Sequence, residues 1–206
     1  MPNVGPKSEL RKLERFVREI ELRYLEPHAT NASLGAPSRD EQLDVAAFVV
    51  LAHGAIENFV EGLALWVVER VEENWINKRR VSRSMATLLL RVKWQAGDGA
   101  EMHAVFDVLR EALAVAKSER SNAANSNNGI TPKHLRGLFV PLGVDVPSDS
   151  VLVASPESLV AMRHEWAHQY RLGAKNPKGA LDMKKTCRDC LDFAKELSSR
   201  VLALHL

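Results

Sequence analysis

Residues 163–171 read Arg-His-Glu-Trp-Ala-His-Gln-Tyr-Arg, and two chemistries overlap in this run. His164-Glu165-Trp166-Ala167-His168 spells H-E-x-x-H, in which two imidazoles at i and i+4 share a helix face and bind zinc while the carboxylate activates a metal-bound water. Beginning one residue earlier, Arg163 and His168 spell R-x-x-x-x-H. Arginine stays charged and grips phosphate oxygens with forked donors, and histidine titrates near neutral pH and shuttles protons. The two spellings imply different metals, substrates and folds.

The zinc spelling lacks its third ligand. In the extended H-E-x-x-H-x-x-G-x-x-H motif the glycine and last histidine would fall at Arg171 and Ala174. A carboxylate such as Glu196 could substitute, but carboxylates are common on amphipathic helices. Peptidases of this kind also need a sheet whose edge holds the substrate, and this chain offers at most one short strand, in "VDVPSDSVLVAS".

The elements around the motif read as helices. Leu10, Leu13, Phe16, Val17, Ile20 and Tyr24 form one apolar stripe over residues 8–25. A loop, "EPHATNASLGAPS", follows, and Ser38-Arg39-Asp40-Glu41 fits a capping box opening a helix that runs unbroken to about Trp75. Apolar nearly all round in its middle, that helix must be covered on most sides and is the spine of the fold. Gly54 and Gly62 inside it either admit a close neighbour or are merely tolerated. Two helices follow near 82–94 and 100–120, separated by "QAGDG", and "SNAANSNNG" reads as a surface loop. Thr131-Pro132 starts a short helix with Gly143 just past its end; Ser155-Pro156 starts the motif helix, closed by Gly173; a final helix occupies roughly 180–205. The fold class expected is all-α: a helical bundle with a long central helix and few or no strands. It forms a single domain over 1–206, with an N-terminal helix and loop over 1–37 and a core bundle over 38–206.

The chain has 206 residues, is 46% apolar and carries a formal charge of +2, so it is globular and too mildly basic to demand a nucleic-acid partner. Its most apolar segment, residues 45–68, carries His53, Glu57, Asn58 and Glu61 about once per turn, which lipid disfavours. A buried core helix and no membrane partner are expected there. No apolar leader opens the sequence, and its two cysteines make no disulfide framework, so a cytoplasmic location is expected. Cys187-Arg188-Asp189-Cys190 is a single C-x-x-C without a second ligand pair and reads as two ordinary helical cysteines.

"RHEWAH" in a late helix, "GAIENFVEGL" in the long earlier helix and "NNGITPKHLRGLFVPLGVD" between them resemble, in order and spacing, the HEPN domains of the RiboL-PSP-HEPN type, over roughly residues 40–205. The resemblance implies a compact HEPN-like helical bundle that forms a homodimer, with the R-x-x-x-x-H motifs of two subunits facing each other across one cleft. It also implies a metal-independent endoribonuclease acting on RNA, with no cofactor or metal, in a toxin-antitoxin pair or in phage defence, where an antitoxin protein could be its partner. RNA's own 2′-hydroxyl attacks the phosphorus, so Arg163 as phosphate stabiliser and His168 as acid/base would suffice. A non-catalytic HEPN module binding RNA or protein is the alternative, and the zinc peptidase stands third.

Around that pair, His164 stands where many such motifs have Asn, and either orients phosphate or lines the cleft. Glu165 orients Arg163 or a histidine, or is simply solvated. Tyr170 extends the motif to R-x-x-x-x-H-x-Y, resembling toxins silenced by addition of AMP to that tyrosine, although those toxins are usually shorter and usually carry Asn after the Arg; otherwise it is an ordinary packing or cleft tyrosine. His53, Glu57 and Glu61 form an i, i+4, i+8 stripe that needs partners, and Glu57 is the candidate to support the motif helix. Arg171, Lys175 and Lys178 are the RNA-binding candidates, with Lys184, Lys185 and Arg188 soon after. Lys78, Arg79, Arg80 and Arg83 form a second basic group that could be a solvated turn.

Overall fold

In the computed structural model, residues 5–29, 37–90, 102–126, 129–168 and 178–206 are described, with backbone alone at 102–105, 150–151 and 167–168. All regular structure among them is helical: α1 (Pro6–Tyr24), α2 (Glu26–Ala29), α3 (Arg39–Lys78), α4 (Arg83–Leu89), α5 (Met102–Asn125), α6 (Pro132–Phe139), a 3₁₀ turn (Val140–Leu142), α7 (Ser150–His168) and α8 (Ala180–Leu202). The all-α expectation holds, and no strand occurs among the described residues.

The spine is α3, forty residues long, against which α1, α5, α7 and α8 all pack. Its length follows from an apolar run without proline. Phe48, Val49, Ala52, Ile56, Val60, Val67 and Val68 are essentially without solvent exposure, and Phe139, Leu159, Phe193 and Leu197 from α6, α7 and α8 close the same core. Cover is nevertheless incomplete. Of its most apolar eighteen residues 44% are buried, and Leu43, Val50 and Leu51 stay exposed. A Cβ at Gly54 or Gly62 would meet no atom within 4 Å, so neither glycine serves a close approach. By length and composition alone α3 could also cross a membrane.

The capping box at the start of α3 is split between two helices. Ser38 Oγ accepts from the Glu41 backbone N–H at 3.2 Å, as the box requires. The Glu41 carboxylate turns away and accepts the Ala180 N–H at 3.0 Å, so it caps the first turn of α8. Free N–H groups at any helix start seek an acceptor, and packing put a second start within reach.

Three boundaries differ from the sequence expectation. A short helical turn, α2, occupies part of the first loop. The polar stretch after residue 120 continues α5 as far as Asn125, because Ala116 and Ala124 lie buried on the face that also holds Leu113. The motif helix begins at Ser150, not Pro156, while residues 144–149 have no regular structure, and the expected short strand is absent there. Inside a helix Pro156 forfeits one backbone hydrogen bond; Leu159 at 0% exposure and Leu152 packed beside the core outweigh that loss. "QAGDG" and the closure at Gly173 lie outside the described residues.

Candidate functional site

On α7 the core-facing stripe runs Leu152, Pro156, Leu159, Arg163 and Trp166, at the i, i+4, i+7, i+11, i+14 spacing of one helix face. Leu159 is buried, and Leu152 and Trp166 pack against the core. Arg163 therefore points toward the neighbouring helices and is half-buried, whereas His164, 100° further round, is exposed and Glu165 is half-buried. His168 closes α7 about 140° from Arg163. Its side chain, with Tyr170, Arg171 and Lys175, lies outside the described residues.

What Arg163 faces is the polar stripe of α3. His53 is buried at 2% exposure, in contact with Glu57 one turn on, Nδ1 to Oε2 at 3.7 Å. Burial drives the His53 pKa down to about 4, and the nearby Arg163 charge pushes the same way. The ring is neutral at pH 7, so the 3.7 Å contact is neither an ion pair nor, at that length, a hydrogen bond. Glu57 shifts upward: burial raises it first, the Glu61 carboxylate adds to the rise, and Arg163 opposes both. His53 Nε2 and Glu57 Oε1 are buried without a hydrogen-bond partner among the described residues. Arg163 itself makes no hydrogen bond or ion pair within the described set. Its charge thus acts through space on two α3 groups while its forked donors stay uncommitted. The stripe that needed a partner, His53 and Glu57, faces the motif helix.

Of the basic residues after the motif, Lys178 is exposed and donates to Ser158 Oγ at 2.9 Å, one and a half turns before Arg163 on α7. Ser155 Oγ donates to Asp189 Oδ2 at 3.2 Å and ties α7 to α8. Nothing in the sequence flagged either contact, because partners 20 and 34 residues away meet only when the bundle closes. Lys184 is not available to RNA. It binds Glu21 at 3.2 Å and Glu26 at 2.9 Å, and the hydrogen bond to Glu26 leads in raising its pKa.

Cys187 and Cys190 are buried, unpaired thiols. Burial pushes the Cys187 pKa up to about 12 and Cys190 higher still, so neither is a thiolate ligand or nucleophile at neutral pH. Among the described residues no group of three or more His, Cys, Asp or Glu side chains is placed to hold a metal ion.

The chemistry this arrangement can support is phosphate binding by an uncommitted guanidinium on a helix that ends in an imidazole-bearing residue. The family model described as RiboL-PSP-HEPN matches residues 13–203, nearly the whole chain. No curated protein and no solved structure matches it.

Proposed function

Because the chain belongs to the RiboL-PSP-HEPN family, which links it to HEPN-type ribonucleases and RNA-binding modules, we propose that it is a metal-independent endoribonuclease built on Arg163 and His168. The observation that carries this reading is Arg163: half-buried beside Glu57, in the R-x-x-x-x-H helix, with its donors unspent among the described residues. A guanidinium so placed is ready for two non-bridging phosphate oxygens. His168 takes the 2′-hydroxyl proton as the 2′-oxygen attacks phosphorus, and the imidazolium so formed returns that proton to the 5′-oxygen as the P–O5′ bond breaks. The products are a 2′,3′-cyclic phosphate and a 5′-hydroxyl. General acid–base catalysis of this kind is worth about 10²–10⁴-fold.

Glu57 positions Arg163 in this reading, and His164, Glu165 and Lys178 line the approach to it. Two subunits form the working unit, since groups 140° apart on one helix reach a common phosphate more readily across a two-fold cleft. The uncovered apolar face of α3 offers surface for a second copy. A toxin or phage-defence effector in the cytoplasm, restrained by an antitoxin protein, is the corresponding biological role.

Purified protein is expected to cut single-stranded RNA in EDTA and leave 2′,3′-cyclic phosphate ends, with activity lost in His168→Ala and Arg163→Ala. Cleavage indifferent to both substitutions would end the assignment. Blank nuclease assays with RNA still bound would favour the alternative, a non-catalytic RNA-binding module.

A further inference from the structure

We propose that the end of α3 remote from Glu57, with the start of α4 and the exposed face of α5 beside it, is a second binding site for single-stranded RNA, holding the substrate's backbone and one of its bases. The inference rests on RNA being the substrate. Lys78, Arg79, Arg80 and Arg83 are all exposed there. Among the described residues their charge is not locally cancelled. In the last two turns of α3, Glu72 is bound by Lys117 and Glu73 by Arg70 at 2.8 Å, and on α5 Asp107 is bound by Arg110 at 3.1 Å. Arg80 and Arg83 have no side-chain partner among the described residues.

Capping explains only part of this charge. Cations favour a helix C-terminus, which accounts for Lys78 and Arg79 at the end of α3. Arg83 occupies the first turn of α4, which contains no acid, and a cation there gains nothing from the helix dipole. Arg79 also closes α3 in the left-handed region, φ 53°, where glycine is the usual residue. Its guanidinium lies 5.8 Å from the Trp75 ring centre and 5.6 Å from that of Phe106, and those rings stack at 5.7 Å. Trp75 is buried, but Phe106 is 42% exposed, so a planar cation and an aromatic ring form an open shelf beside the free arginines. Cations without a counter-charge among the described residues and an open aromatic face suit phosphate plus a stacked base, the pairing used by single-strand binders. An acidic protein or an anionic lipid surface would use the charge and leave the shelf idle.

Glu57 and Lys78 are 21 residues apart on α3, about 32 Å at the helical rise. A short RNA reaches only the Arg163 site, and a long one spans both. The test is fluorescence anisotropy of a labelled 20-nucleotide single-stranded RNA on the full chain carrying His168→Ala, so that no cleavage intervenes. Arg80→Ala/Arg83→Ala should weaken binding about tenfold and lower the salt slope by about two, and Phe106→Ala should weaken it about tenfold without changing that slope. In otherwise native protein the same substitutions should leave cleavage of a dinucleotide unchanged, and thermal melting should show both variants folded. Unaltered RNA affinity in both variants, or no RNA binding at all, overturns the proposal. So does equal binding of polyglutamate or of phosphatidylserine vesicles through the same arginines. Binding lost as expected in a protein that never cleaves would leave this site standing while removing the ribonuclease reading.

Discussion

Acid should destabilise this protein through His53, and the size of the effect follows from its burial. The ring titrates at about 4 in the folded chain against 6.5 for an unperturbed histidine. Between those values the unfolded chain binds a proton that the folded chain refuses, so stability is fully present above pH 6.5 and is lost as pH falls toward 4. The shift is worth about 3 kcal/mol over the whole window, most of it spent by pH 4.5. Glu57 runs the other way. Its raised folded pKa means the folded form retains a proton the unfolded chain has released, so its penalty is relieved as pH falls. Both proteins in a comparison of wild type with His53→Gln carry Glu57, and its contribution largely cancels. Urea denaturation at pH 7 and pH 4.5 should show the wild type losing about 2–3 kcal/mol more than the variant, a difference of about 1 M in midpoint. Arg163→Gln should raise the His53 pKa, since it removes the second cause of the depression. Parallel pH dependence in wild type and His53→Gln, or an NMR titration placing His53 near 6.5, would refute both the burial argument and the nearness of Arg163.

Glu41→Ala should cost about 1 kcal/mol, because the start of α8 loses its acceptor; Glu41→Gln, which keeps an oxygen there, should cost less, and equal melting temperatures for all three proteins would contradict the shared cap. Gly143→Ala should destabilise by about 1 kcal/mol or more, since φ is 71° and the new Cβ would lie 3.1 Å from Thr87 Oγ1; a neutral result by denaturant titration would argue against that turn. Cys187 and Cys190 should resist an aromatic disulfide reagent at pH 8 until the protein unfolds, and prompt labelling of the native chain would show them accessible. Leu159→Ala should cost about 2–5 kcal/mol by opening a cavity in the buried face of α7, and an unchanged unfolding midpoint would contradict the packing described.

Most of the fold was legible because its signals are local. The stripe over α1, the Ser38 cap and the Thr131-Pro132 start are each set by residues within a few positions of one another. Where local signals failed, burial had overruled them: Pro156 announces a helix start yet lies within one, and the asparagine-rich stretch after residue 120 stays helical because Ala124 is covered. The exposed face of α3 was misjudged for a related reason. An all-round apolar helix states how much surface could be buried, not how many neighbours arrive.

The site divides in the same way. The sequence by itself determined that an arginine and a histidine stand five apart on a helix, and that His53, Glu57 and Glu61 form a stripe on another, since both are consequences of 3.6 residues per turn. Only the tertiary structure decided that the Arg163 charge would fall on that stripe, that Glu41 would cap α8, and that Lys184 would be consumed by Glu21 and Glu26. Each joins residues more than a hundred positions apart, and which side chains meet at that distance is settled by how the helices pack, not by periodicity along any one of them.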